Sequence, residues 1–400
     1  MKKLALSLLA LALAGAASAQ DLVVWHAYRG AEKTAFEKVV AAYNAKPTTK
    51  VKVSSLAVPF DAFADKISAA VPRGKGPDVF IYAQDRMGGW IEAGNTVEPI
   101  DFFVDDALKG KFIPTTVQAL TYRGSLWGLP FNYKVITMLY NKKLVRTPPT
   151  TTAELVKLGK ELTNKGAGRF GLAWASNDFY YVASLLNGFG GGVFGAGAKP
   201  TMDQAANVKA MELLVQWNKA GFMPAEPSVA LITALVNEGK AAMVFTGPWF
   251  LGEVSKDIDY GLAPLPNITE AGGKPMRPWM TVEGAFVTAP CKQKEAAFEF
   301  VKYITDVEAA KVMAVEGRQT PAVKGVYDDP AVKSDWVLAN FRKQVDVAVP
   351  MPNLPEMTMM WSPATTALNK INAGTAPKDA LATAQKAVEK DVASLRQKKK

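Results

Sequence analysis

Cysteine and histidine are nearly absent from this chain of 400 residues, which holds one of each, Cys291 and His26. A single cysteine excludes an intramolecular disulfide, and beside Pro290 it reads as an ordinary structural thiol. One histidine and one cysteine leave no ligand cluster of the kind zinc needs, so neither metal nor cofactor is expected. His26 follows a buried-looking strand, where packing or hydrogen bonding is a commoner role than catalysis. Long apolar runs are lacking too. The stretch Leu4 to Ala14 falls short of the roughly 20 residues of a membrane span, and no later stretch comes closer. Basic residues outnumber acidic ones, 47 to 37, for a net charge of +10. They are dispersed and form no nucleic-acid motif, and Arg396 to Lys400 reads as a solvated charged tail. The basicity therefore speaks for solubility or surface attraction and not for nucleic-acid binding.

What is present begins with a leader. Lys2 and Lys3, the apolar Leu4 to Ala14 and the A-x-A site Ala17-Ser18-Ala19 form the pattern of a secretory signal at 1–19, cleaved after Ala19. No cysteine follows it to carry a lipid anchor, so a periplasmic location is expected. The remaining chain exceeds the roughly 250–300 residues over which one core grows, and two lobes are the expectation.

Strand and helix patterns alternate from the start of that chain. Leu22 to Trp25 reads as a strand. In 31–46, Phe36, Val39, Val40 and Tyr43 recur at i, i+3, i+4, i+7, the stripe of an amphipathic helix. Val51 and Val53 mark a second strand, 61–71 a helix with Phe63, Ile67 and Val71 aligned, and 79–82 a third strand. This β-α-β-α-β order predicts a doubly wound α/β lobe with right-handed crossovers. Beyond Phe131 the patterns give a strand at 135–140, a helix at 151–165 closed by Gly166, a helix at 204–220 stopped by Gly221, and a strand at 243–245. Gly190 to Gly195 fits G-x-G-x-x-G, but a helical segment precedes it and a loop follows, the wrong setting for a dinucleotide fingerprint. Trp25, Trp127, Trp217 and Trp336 are expected in the core.

The segment 76–90, GPDVFIYAQDRMGGW, carries the most chemistry. Its apolar run Val79 to Tyr82 reads as a buried strand, and open α/β sheets bind ligands at the carboxyl ends of their strands. Asp85 there offers two acceptors and Arg86 a planar fork of donors, a set suited to adjacent hydroxyls. The plainer alternative is that the two cap the next helix or pair with each other. Trp249, in the turn Thr246-Gly247-Pro248-Trp249, and Trp361, after the proline-broken 350–355, are flat surfaces fit to stack on the C–H faces of a sugar.

Five segments resemble, in order, the maltose/maltodextrin-binding family, the extracellular sugar-binding proteins of ABC importers. They are DLVVW (21–25), GPDVFIYAQDRMGGW (76–90), LPFNYKVITMLYNKKL (129–144), NEGKAAMVFTGPWF (237–250) and MPNLPEMTMMW (351–361). The resemblance implies a two-lobed α/β fold, each lobe a sheet flanked by helices, with a hinge between them. It assigns 20–132 and 285–330 to the N-terminal lobe, and 133–284 and 331–400 to the C-terminal lobe. Hinge crossings are implied near 131–137 and 279–285. The function it implies is capture of maltose, a maltodextrin or a related oligosaccharide and delivery to membrane permease subunits, by a monomer without enzymatic activity.

The resemblance also implies site residues. Asp85 and Arg86 would bind hydroxyls and Tyr82 would flank the sugar. Asn177 and Asp178 would form a polar pair before a stacking Phe179, with Tyr180 and Tyr181 as alternatives to it, and Trp249 and Trp361 would stack. Three departures stand out. Lys134 occupies the place of a sugar-binding acid, Arg29 that of another acid, and Thr365 that of an arginine. Lys134 is expected to pair with an acid such as Asp178 or Glu283, so that the pair offers both donors and acceptors. The competing reading is a secreted glycoside hydrolase acting on α-glucosides, with Glu283 and Asp85 as its two carboxylates.

Overall fold

The structure, a computed structural model, describes residues 21–397; the expected leader at 1–19 lies outside them. The opening β-α-β-α-β pattern is realised as strand β1 (Leu22–His26), helix α1 (Gly30–Ala45), strand β2 (Val53–Ala57), helix α2 (Phe60–Ala70) and strand β3 (Val79–Ala83). The stripe predicted for α1 is the face that is buried, through Phe36, Val39, Val40 and Tyr43. Tyr43 meets Phe300 edge-on at 5.1 Å, which seats α1 on the distant helix Lys294–Ile304. Burying side chains of this size contributes roughly 1.5–3 kcal/mol each. Strands β2, β1 and β3 pair in parallel in that order. Their carboxyl ends therefore share one edge.

A second, four-stranded sheet has the order Tyr260–Ala263, Thr137–Asn141, Ala241–Thr246, Phe170–Ala173. Trp174, Trp217, Phe222 and Phe245 are fully buried around it, with Trp174 edge-on to Phe245 at 5.2 Å. Its helix Thr152–Leu162 starts from a capping box, Thr151 accepting from the Glu154 N–H while the Glu154 carboxylate accepts in return, a device worth about 1 kcal/mol. Helix Ala205–Ala220 ends at Gly221, whose φ of 70° is left-handed and costs a glycine little.

The two sheets are joined by chain that passes between them. Strand Leu129–Lys134 belongs to the first sheet, and Thr137–Asn141, two residues later, to the second. Strand Trp279–Val287 runs antiparallel to both β3 and Leu129–Lys134, with Thr281 opposite Lys134 and Gly284 opposite Tyr82. Near its start it pairs in parallel with Val349–Pro350. Between the end of β3 and that short strand, the buried Gln84 amide continues the ladder. Its Oε1 accepts from Val282 N–H at 2.7 Å, and its Nε2 donates to the Met351 carbonyl at 3.0 Å.

Several expectations are displaced by a few residues. The second strand starts at Val53 and not at Val51. Helix Thr152–Leu162 stops before Gly166, because Thr163 is already extended at ψ 129°. Trp217 is core as expected, but Trp336 is 45% exposed, held against Tyr260 at 5.6 Å. Cys291 is buried, and burial pushes its thiol up to about 12, which keeps it unreactive.

Candidate functional site

Two short turns leave the shared carboxyl edge of the first sheet, Tyr28-Arg29 after β1 and Gln84–Arg86 after β3. Asp85 is buried there, and Arg86 Nε lies 3.3 Å from its Oδ2. The two side chains thus pair with each other, as the plainer reading has it. The pairing is incomplete, because Arg86 Nε is buried and finds no hydrogen bond. Burial raises the Asp85 carboxyl to about 6, against the pull of Arg86. Desolvation without full compensation is costly in a resting protein and is often concentrated at binding sites.

Beside this turn lies a second polar group, centred on Lys134 and Glu283. Lys134 Nζ is 2.9 Å from Glu283 Oε1 and 3.7 Å from Glu32 Oε1. Glu283 Oε2 accepts from the Tyr28 hydroxyl at 2.8 Å and from Asn132 Nδ2 at 3.3 Å, and Gln319 Nε2 donates to Glu32 at 2.7 Å. Burial pulls the Lys134 ammonium down, but Glu283 and Glu32 outweigh it and hold its pKa above the usual value. The expected partnership of Lys134 with an acid is present, with Glu283 and Glu32 and not with Asp178. His26, fully buried, accepts from the Tyr28 N–H at 3.1 Å, and burial lowers its pKa to about 4. It supports the Tyr28 loop and has the packing role expected of it.

Beside these groups runs a row of rings, from the turn after Ala241–Thr246, the helices Phe179–Gly188 and Met357–Asn372, and the start of the shared strand Trp279–Val287. Trp249 follows Ala241–Thr246 through Gly247, and a Cβ on Gly247 would stand 2.2 Å from the indole, so only glycine lets the ring fold back. Trp249 lies 6.2 Å from Tyr180 and 6.4 Å from Tyr181. Tyr180 continues to Trp279 at 6.3 Å, and Trp279 to Trp361 at 5.8 Å. Trp361 Nε1 is a buried donor without a partner. Two residues beyond Trp279 on the same strand, Thr281 Oγ1 donates to the Tyr180 hydroxyl at 3.3 Å. At the rim, Arg29 and Glu253 come within 3.7 Å of each other from opposite sheets.

The remaining predicted residues fall elsewhere. Phe179 is 1% exposed and packs on Trp279 at 6.0 Å, which leaves it no free face; Tyr180 and Tyr181 are the partly open rings of that helix. Tyr82 is likewise buried, stacked on Phe63 at 4.8 Å and 5°. Asp178 caps the helix Phe179–Gly188 by accepting from the Tyr180 N–H at 2.9 Å. Burial raises its carboxyl, against that hydrogen bond. Asn177 donates to the Pro227 carbonyl at 2.9 Å. Glu32, Tyr28, Asn132 and Gln84 belong to the polar site without standing out in the sequence as ligand groups. Gln84, adjacent to Asp85, and Tyr28, adjacent to Arg29, carry a signal in the sequence by their neighbours.

Grooves on the surface give a different emphasis. One of about 630 Å³ lies between Tyr43, Lys46, Phe112 and Tyr303, well away from Asp85 and sharing none of the residues above. Its lysines are offset by Glu295, Glu299 and Asp306, and nothing in it converges on a ligand. A smaller groove of about 160 Å³ is lined by Arg86, Trp90 and Thr358 and does border the polar turn. Among the described residues no group of histidine, cysteine and acidic side chains is placed to hold a metal, and no helix is long and apolar enough to cross a membrane.

Two helix-flanked sheets joined by shared strands, with a charged turn on one side and a row of rings on the other, define a two-lobed solute receptor. The chain belongs to the family described as bacterial extracellular solute-binding protein, which matches residues 29–311. It is similar to the maltotriose-binding protein of Pyrococcus abyssi, 31% identical over 88% of this chain and 77% of that one. It is also similar to the galactooligosaccharide-binding protein of Bacillus subtilis, 29% identical over 90% and 87%. Among solved structures, a cyclo/maltodextrin-binding protein complexed with maltotetraose superposes with a TM-score of 0.83 at 29% identity, covering 93% of this chain and 97% of that one. The maltotriose-bound binding protein of Thermus thermophilus gives 0.82 at 26%, covering 93% and 100%. A family of binding proteins leaves the hydrolase reading without support. Glu283, its nominal acid, is engaged by Lys134, Tyr28 and Asn132.

Proposed function

We propose that this chain captures an α-linked glucose oligosaccharide, maltose or a maltodextrin, between its lobes and delivers it to the permease subunits of an ABC importer. The observation that carries the reading is the juxtaposition of Asp85 and Arg86 with the partly open rings Trp249, Tyr180 and Trp361, which the buried Trp279 backs. A pyranose has two apolar C–H faces and a belt of hydroxyls. Rings match the faces, and a carboxylate beside a guanidinium supplies acceptors and donors for the belt. The free Trp361 N–H adds one donor on the ring side. The names of the relatives, maltotriose-binding and maltodextrin-binding, support the same solute class.

In this reading the lobes are 20–132 with 285–330 and 133–284 with 331–400, hinged at 131–137 and 279–285. Solute touching both sides favours the closed arrangement by its differential affinity for it, and closure by hinge motion follows. The protein acts as a monomer in the periplasm after cleavage behind Ala19. Calorimetric titration with malto-oligosaccharides of two to seven units, trehalose, galacto-oligosaccharides and simple glucosides tests it. Saturable heat with at least one α-glucoside is expected. Heat with none of them overturns the sugar assignment, and a preference for the galactosides overturns its glucose form.

A further inference from the structure

Phe60 is left open to solvent at 60%, yet its ring is stacked on Tyr82. It is the first residue of α2, directly after Pro59, and lies 5.4 Å from Tyr82 at an interplanar angle of 27°. Tyr82 in turn stacks on the fully buried Phe63. The open ring is thus the outermost member of a stack rooted in the core, and its rotamer costs little further entropy to hold. A single exposed phenylalanine is by itself unremarkable in a folded protein, and Phe102, at 92%, is such a case on the turn Asp101–Phe103. Phe60 differs in position. It leaves the carboxyl end of β2, the edge that also bears Tyr28-Arg29 after β1 and Asp85-Arg86 after β3. Its support, Tyr82, stands three residues before Asp85 and opposite Gly284 of the shared strand.

We propose that Phe60 is a stacking subsite for an additional sugar unit at the mouth of the cleft, so that it sets preference by chain length and leaves the central unit to Asp85, Arg86 and the second lobe's rings. The inference rests on the oligosaccharide reading above. The chemistry required is the apolar face of a pyranose, which a fixed aromatic surface recognises without hydrogen bonds. This is the face that a longer oligomer presents outside the polar turn. The residue that was expected to serve, Tyr82, is covered by its neighbours and acts as the support of the platform.

The test is titration of the full-length protein and of Phe60→Ala, Phe60→Leu and Phe60→Trp with α-1,4-linked glucose oligomers of two to five units. In the wild type, affinity is expected to rise with length. Phe60→Ala and Phe60→Leu should bind the shortest oligomer within about twofold of wild type and the longest about tenfold more weakly, a difference of ~1.4 kcal/mol. Phe60→Trp should keep the length preference. Phe60→Leu retains apolar bulk without a ring, so a variant that folds poorly as alanine is still tested. An equal loss at every length, no loss at any length, or no length preference in the wild type each overturns the subsite. Failure of the wild type to bind any oligomer is a separate result: it removes the function reading, and the subsite with it.

Discussion

Lys134 Nζ stands 2.9 Å from Glu283 Oε1, and the two residues lie on neighbouring antiparallel strands that carry the chain between its sheets. Glu32 reaches the same ammonium from α1, and Tyr28 reaches the same carboxylate from the loop after β1. The lysine's positive charge is thereby neutralised, and the pair holds donors and acceptors side by side. The arrangement ties the strands to the polar edge of the first sheet.

Breaking that pair on one side should be costly. Lys134→Met leaves two mostly buried carboxylates unpaired, and the loss of one partner from such a pair costs roughly 3–5 kcal/mol. The double change Lys134→Met with Glu283→Gln should lose distinctly less than the sum of the single changes. Urea unfolding of the three variants measures it, and simple additivity would show the groups to be uncoupled. Because the Lys134 pKa is raised in the fold, its contribution is complete at neutral pH. It fades only as pH rises through that raised value, above the usual 10.5.

Asp85 and His26 should act on stability in opposite directions over the same acid range. With a folded pKa of about 4 against 6.5, His26 is protonated first in the unfolded chain. Its contribution is present above pH 6.5 and is lost as pH falls toward 4, by about 3 kcal/mol at most. Asp85, raised to about 6 from 3.8, holds its proton more tightly when folded, so it destabilises the protein at pH 7 and ceases to do so below about pH 4. His26→Gln should flatten the acid side of the melting profile, and Asp85→Asn should raise the melting temperature at pH 7 while weakening solute binding. A lowered melting temperature in Asp85→Asn would contradict this.

Trp249 and Trp361 are partly buried, in contrast to Trp217. Alanine at either should weaken solute binding by roughly 1–3 kcal/mol, judged by bases stacked on aromatic side chains. Their folding cost should remain below the roughly 3–5 kcal/mol expected of Trp217→Ala. Paired melting and titration curves separate the two effects. Unchanged affinity together with a large fall in melting temperature would assign both rings to the core.

The Arg29–Glu253 pair is exposed, with side chains 80% and 39% accessible. Glu253→Gln should change the stability of the protein by less than about 1 kcal/mol. A small loss of solute affinity at low salt should vanish near 1 M salt, where charges are screened over about 3 Å. A loss that persists at high salt would give Glu253 a direct contact with solute.

Local sequence pattern is enough to specify the elements and the chemistry of the edge. The stripe of α1, the apolar run of β3 and the stop at Gly221 are set by side-chain periodicity and backbone sterics, which act over a few residues and can be read there. So could Asp85-Arg86, a charged pair placed directly after a buried strand. Which rings stay open and which charges meet depends on packing between distant parts of the chain. Tyr82 and Phe179 have the same local signature as Phe60 and Tyr180, and burial alone separates them, set by Phe63 and Trp279 from other parts of the chain. Lys134, Glu283 and Glu32 are far apart in sequence, and their meeting depends on the register of Leu129–Lys134 against Trp279–Val287. A shift of one residue would turn every side chain to the opposite face, and that register is fixed by long-range packing that no local pattern records.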